Sequence, residues 1–131
     1  MGSAAAKVLL VAFAAASLAG CTSQTLHVLK DAPIDTPTGV TRTVPGVEKA
    51  IRSAGSATGW KMQSPRPGLI VATTSWGSHT AMVDITYDTK SYSILYKDST
   101  NLNYDGTNIH RNYNRKVEEL DRAIRAQLAV F

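Results

Sequence analysis

Asp98, Ser99 and His110 carry the three side-chain types of an orienting carboxylate, a nucleophile and a base. Brought together, they would make an activated serine. Nothing in their spacing requires it. Ser99 lies in no nucleophile elbow, and no Gly-rich oxyanion turn stands beside it. A metal site made from His79, His110 and an aspartate is weaker still, because neither histidine stands in a metal-binding spacing. No metal or other cofactor is expected. The same stretch offers a second kind of chemistry. Tyr96, Asn101, Tyr104, His110, Tyr113 and Asn114 join broad aromatic area to adaptable amide and imidazole hydrogen bonds. They predict a polar-aromatic groove that binds a glycan, a peptide or a protein partner. A plainer reading stands beside it. The polar loop 98–108 must satisfy its own backbone, and its Asn, Asp and Ser side chains do that locally. Leu102 and Tyr104 would then pin the loop to the core, and the stretch would be structural.

These residues need a scaffold, and the hydrophobic pattern describes one. Thr43-Val44-Pro45 opens a helix, with Pro45 in the first turn where its missing N–H costs nothing. Val47, Ala50, Ile51, Ala54 and Ala57 follow helical spacing, Gly55 weakens the helix and Gly59 stops it. Four strands are predicted, at 59–63, 69–74, 79–87 and 91–97. Ser64 to Gly68 makes a rigid turn, and Asp88-Thr89-Lys90 makes a tight hairpin. The third strand is the clearest, with Ala81, Val83, Ile85 and Tyr87 alternating against Thr80, Met82, Asp84 and Thr86. After the loop comes a helix over 109–130. Its apolar face is Ile109, Tyr113, Val117, Leu120, Ile124 and Leu128. The order α-β-β-β-β-α with short connections predicts a two-layer α+β domain. A four-stranded antiparallel meander would carry both helices on one face.

The N-terminal stretch sets location. Lys7 is followed by an apolar run from Val8 that ends at Leu18-Ala19-Gly20-Cys21. A short positive leader, an apolar segment and small residues form a secretory signal, too short to span a bilayer. Met1-Gly2 does not begin a myristoylation motif, since Ala6 stands where Ser or Thr is required. Leu18-Ala19-Gly20-Cys21 resembles the lipobox of bacterial lipoproteins. The resemblance implies removal of residues 1–20 and acylation of Cys21, the chain's one cysteine. By resemblance to enterobacterial lipoproteins, in which an aspartate after the cysteine favours inner-membrane retention, Thr22 implies the outer membrane, facing the periplasm. Residues 21–42, rich in Thr, Ser, Asp and Pro, predict a lipidated N-terminus and flexible tether, in which Leu26-His27-Val28-Leu29 is the one apolar island and could add a short edge strand, leaving 43–131 as the folded domain. Such a tether would span about 25 Å as a coil and at most roughly 70 Å extended. The 14 Lys and Arg, less Lys7, leave 13 against 10 acids in the processed chain, a mild excess that reads as a solvated surface. Secretion, more than charge, argues against a nucleic-acid partner.

A further resemblance rests on Tyr92-Ser93-Ile94, Tyr96, Ser99, Asn101-Leu102, Tyr104, Ile109-His110 and Tyr113-Asn114, with Gly59-Trp60 and Pro67-Gly68-Leu69-Ile70 upstream. Over about residues 45–128 the chain resembles a family of small proteobacterial lipoproteins with the pattern YSI-Y-S-NL-Y followed by IH--YN-W. Lys116 stands where that pattern has Trp. The family carries no established activity, so the resemblance bears on fold and location. The function expected is therefore a lipid-anchored, non-catalytic binding or assembly module of the cell envelope. The alternatives are a hydrolase of envelope polymers with His110 as base, and a purely structural envelope component.

Overall fold

Along His79–Tyr87 every second side chain is buried: Ala81, Val83, Ile85 and Tyr87 point inward, while Met82, Asp84 and Thr86 stay partly or fully exposed. That alternation sets the face on which everything else packs. The structure, a computed structural model, describes residues 22–130. The elements in chain order are β1 (Ser23–Thr25), β2 (Leu29–Pro33), α1 (Val44–Ala57), β3 (Lys61–Arg66) and β4 (Leu69–Trp76). They continue with β5 (His79–Tyr87), β6 (Ser91–Thr100), β7 (Asn108–His110) and α2 (Arg111–Leu128). An antiparallel five-stranded sheet has the order β2-β6-β5-β4-β3, and β1 pairs with β7 in a separate two-stranded sheet. Both helices lie on the inner face, so the fold is two-layer α+β. Tyr92 on β6 donates to Asp121 on α2, and Met62 on β3 lies against Gly55 on α1.

The helices start for local reasons. Thr43 caps α1 by accepting the N–H of Gly46 at 3.1 Å, and Pro45 occupies the first turn. At its end Gly59 takes φ 84, a left-handed conformation that a side chain would resist. Tyr113, Val117, Leu120, Ile124 and Leu128 form the buried stripe of α2. Asp121 also pairs with Arg125 at 3.1 Å, one of the favourable spacings of a helix surface. Among the described residues no helix is long and apolar enough to cross a membrane.

The structure corrects several expectations. The sheet has five strands, not four, because residues 22–42 are not a free tether. Their β2 adds to the edge of β6, Ala32 and Ile34 enter the core, and Arg42 donates to the carbonyl of Leu128 at the end of α2 at 2.7 Å. The folded domain therefore includes residues 22–42 and does not start at residue 43. Residues 98–108 are not one loop: β6 runs to Thr100 past a bulge at Lys97, and Asn108–His110 forms β7. Helix α2 accordingly opens at Arg111, since Ile109 is taken up by β7. The signal at 1–20 and the acylated Cys21 lie outside the described residues.

Candidate functional site

The candidate residues gather at the end of the sheet where β4 turns into β5 and α2 begins. Pairing with β1 holds His110 extended at φ −57 and ψ 132, which makes it the N-cap of α2. Its Nδ1 accepts the N–H of Asn112 at 3.1 Å. Across the end of the sheet, His79 Nδ1 lies 2.7 Å from the carbonyl of Asn101. A carbonyl only accepts and an amide N–H only donates, so the Nδ1 atoms of the two rings play opposite parts. Nδ1 of His79 donates, and Nδ1 of His110 accepts. The rings stack with centroids 6.0 Å apart, and Trp76 adjoins His79 at 5.5 Å. The Lys116 ammonium stands 5.5 Å over the Trp76 ring, which adds a cation–π contact to the row. Two backbone devices bring these groups together. Gly77, at φ 55, allows the two-residue turn between Trp76 and His79. Asn101, left-handed at φ 58, closes β6, and its Nδ2 donates to Ser78 at 2.7 Å.

A second group is aromatic. Tyr96 touches Tyr104 with centroids 4.1 Å apart and Tyr113 at 5.7 Å. Tyr113 is fully buried, and its hydroxyl has no hydrogen-bond partner among the described residues. Burial pushes its phenol well above the ordinary value, with the neighbouring Tyr96 and Tyr104 adding to the rise. Tyr104 forms the exposed rim, and the Tyr96 hydroxyl pairs with Ser99 at 2.8 Å.

Asn114 does something else. Its Oδ1 accepts the N–H of His27 at 2.8 Å, while Nδ2 donates to the carbonyl of Thr25 at 2.9 Å and to Gln24 at 3.2 Å. The side chain is buried and committed to the N-terminal segment, so it is not part of an open groove. The structure therefore brings Tyr96, Tyr104 and Tyr113 together, and joins Asn101 to His110 through His79. Trp76 and Lys116 belong to the same surface and were missed. The signal for Trp76 was a large aromatic beside a tight Gly-Ser corner. For Lys116 the signal is its place at the position where the resembled pattern has Trp.

The parts of a catalytic triad are differently employed. Ser99 Oγ bonds Tyr96, Asp98 accepts the N–H of Ser99 at 2.8 Å, and His110 offers its Nδ1 lone pair to Asn112. Among the described residues no group of three His, Cys, Asp or Glu side chains is arranged to hold a metal ion. A cleft of about 230 Å³ lies at the opposite end, lined by Pro33, Ile34, Asp35, Tyr92, Arg125 and Leu128. Its polar side chains are largely occupied by the Tyr92–Asp121–Arg125 chain. Comparison of the chain with protein-family models, curated proteins and solved structures yields no match.

Proposed function

We propose that the protein is a lipid-anchored, non-catalytic binding module of the bacterial envelope. It would act through the end of the domain that carries Trp76, His79, Asn101, Tyr104, His110 and Lys116. The observation that carries this reading is the Trp76–His79–His110 row assembled from β4, β5 and the residue that caps α2, with Tyr104 exposed in the segment whose Leu102 carbonyl accepts the N–H of His110. Rings held by tight turns and a helix cap form a rigid contact surface at low entropic cost. Anchoring rests on Leu18-Ala19-Gly20-Cys21, the lipobox-like stretch. The hydrolase alternative asks His110 to accept a proton. In the tautomer that caps α2, its one lone pair is already used by Asn112.

The test is made in the native membrane. A photoreactive residue replacing Tyr104 should capture a component of the envelope, and a second one replacing Lys49 on the outer side of α1 should not. Equal capture at both positions would sink the proposed surface. Turnover of an envelope polymer that disappears in a well-folded His110→Ala protein would instead establish the hydrolase. Palmitate labelling that depends on Cys21 tests the anchor separately.

A further inference from the structure

Thr22, the residue after Cys21, is already bonded into the fold: its carbonyl accepts the N–H of Arg111, the first residue of α2, at 2.7 Å. Ser23 pairs with His110 in the next step of the same ladder. Consecutive Cα atoms lie 3.80 Å apart, so the sulfur of Cys21 can stand no more than roughly 12 Å from the Arg111 nitrogen. The acyl glycerol of a lipidated cysteine sits at the boundary of the hydrocarbon, beneath a headgroup layer about 5–8 Å thick. Only about 4–7 Å of reach remains beyond the headgroup layer, about the length of a side chain, so the domain has no room to stand clear of the bilayer.

From this geometry we infer that the Trp76, His79 and His110 end of the domain lies directly on the phospholipid headgroups of the membrane that holds the anchor. The inference rests on the acylation of Cys21 proposed above and names the partner of that same surface. The residue types fit a headgroup layer. Trp is favoured at the membrane interface. Trp76 lies at the corner of β4 and β5, and Lys116 stands over its ring. Arg111 and Arg115 are exposed one helical turn apart at the start of α2. Cations there oppose the helix dipole, a local cost that contact with lipid phosphates would offset. The exposed carboxylates of Asp98 and Asp105 are engaged by backbone of their own segments. Asp105 accepts the N–H groups of Thr107 and Asn108, and Asp98 accepts that of Ser99.

The experiment uses the acylated full-length protein in phosphatidylcholine–phosphatidylglycerol vesicles that contain a headgroup-spin-labelled lipid. Trp60 is buried, so quenching should reside in Trp76. Emission of the native protein should be quenched several-fold more than that of Trp76→Phe. A reporter at the far turn, Trp76→Phe with Lys90→Trp, should gain no comparable quenching. Arg111→Glu gives a readout that a purely structural role would not move. It should raise the melting temperature, because an acid suits a helix start, and yet reduce the quenching of Trp76. Equal quenching of the near and far reporters on acylated, vesicle-bound protein overturns the inference and leaves the anchor standing. Absence of acyl groups on Cys21 overturns both. Shielding of Trp76 from the label by a co-purifying protein or glycan also overturns it, and assigns the surface to that occupant.

Discussion

Asn114 presents its amide to residues 25 and 27 as a neighbouring strand would, one C=O and one N–H in register with the backbone. Asn114→Ala leaves the N–H of His27 and the carbonyl of Thr25 without partners in a partly buried place. We expect a loss of about 2–3 kcal/mol in urea unfolding, with faster proteolysis at Lys30. Asn114→Asp keeps the acceptor but sets a carboxylate against the Thr25 carbonyl, and should be no better. Sequence could not assign this role, because the partner of Asn114 lies 87 positions away. A polar residue near a helix start reads equally well as a ligand contact. Asp88 shows the opposite case, a residue whose work is local and therefore legible in Asp88-Thr89-Lys90. The N–H groups of Lys90 and then Ser91 hold its carboxyl below the ordinary value of 3.8. The folded value is the lower one. The stability it lends is therefore present above the ordinary carboxylate range and lost as pH falls through the lowered value. Following the Asp88 carboxyl carbon by NMR should give a midpoint below 3.8, and an ordinary midpoint would remove the hairpin contact from solution.

At the scale of elements, Gly55 is the case where propensity misleads. In the middle of α1 it reads as a weak point, yet a Cβ there would run into the Met62 side chain on β3. The glycine lets the strand approach the helix. Gly55→Ala alone gains about 1 kcal/mol of helix propensity and meets an overpacking cost of about 1–3 kcal/mol. A small net destabilisation is expected. With Met62→Ala as background the clash is gone, and the same change should stabilise by about 1 kcal/mol, so the double-mutant cycle changes sign. Additive effects would mean that α1 and β3 are not in contact. The elements that sequence located well, α1, β4, β5 and α2, are long enough for a period of 2 or 3.6 residues to show. By contrast β1 and β7 have three residues each. β2 is interrupted by Asp31 at φ 51, where the ladder slips by a residue and the Asp31 N–H turns to Ser93. No periodicity survives in so short or bulged a strand. Such elements exist because a distant partner pairs with them. The same holds for the candidate surface: its Tyr, Asn and His members were visible, whereas the Trp76–His79 corner that completes it depends on which strands meet.

For the whole molecule, the question is whether residues 22–42 belong to the domain or only decorate it. They supply the edge strand on β6, the partner of β7, the buried Ala32 and Ile34, and an arginine on the Leu128 carbonyl of α2. Leu26 and Leu29 pack against the same core. Each fully buried aliphatic side chain is worth about 1.5–3 kcal/mol, and typical domains hold only about 5–15 kcal/mol in total. Loss of the segment should therefore remove a large share of the stability. It would also bare β6, whose face toward the core carries Tyr92, Ile94 and Tyr96 and whose open edge would invite pairing with another copy. A chain of residues 22–131 is expected to melt cooperatively as a monomer. One of residues 43–131 should melt at least about 15 °C lower, using about 4–8 °C per kcal/mol for a domain of this size, or associate on a sizing column. Equal melting temperatures for the two chains would show that the N-terminal strands contribute little. The four-stranded core would then stand alone, and residues 22–42 would be free to lift the domain from the membrane.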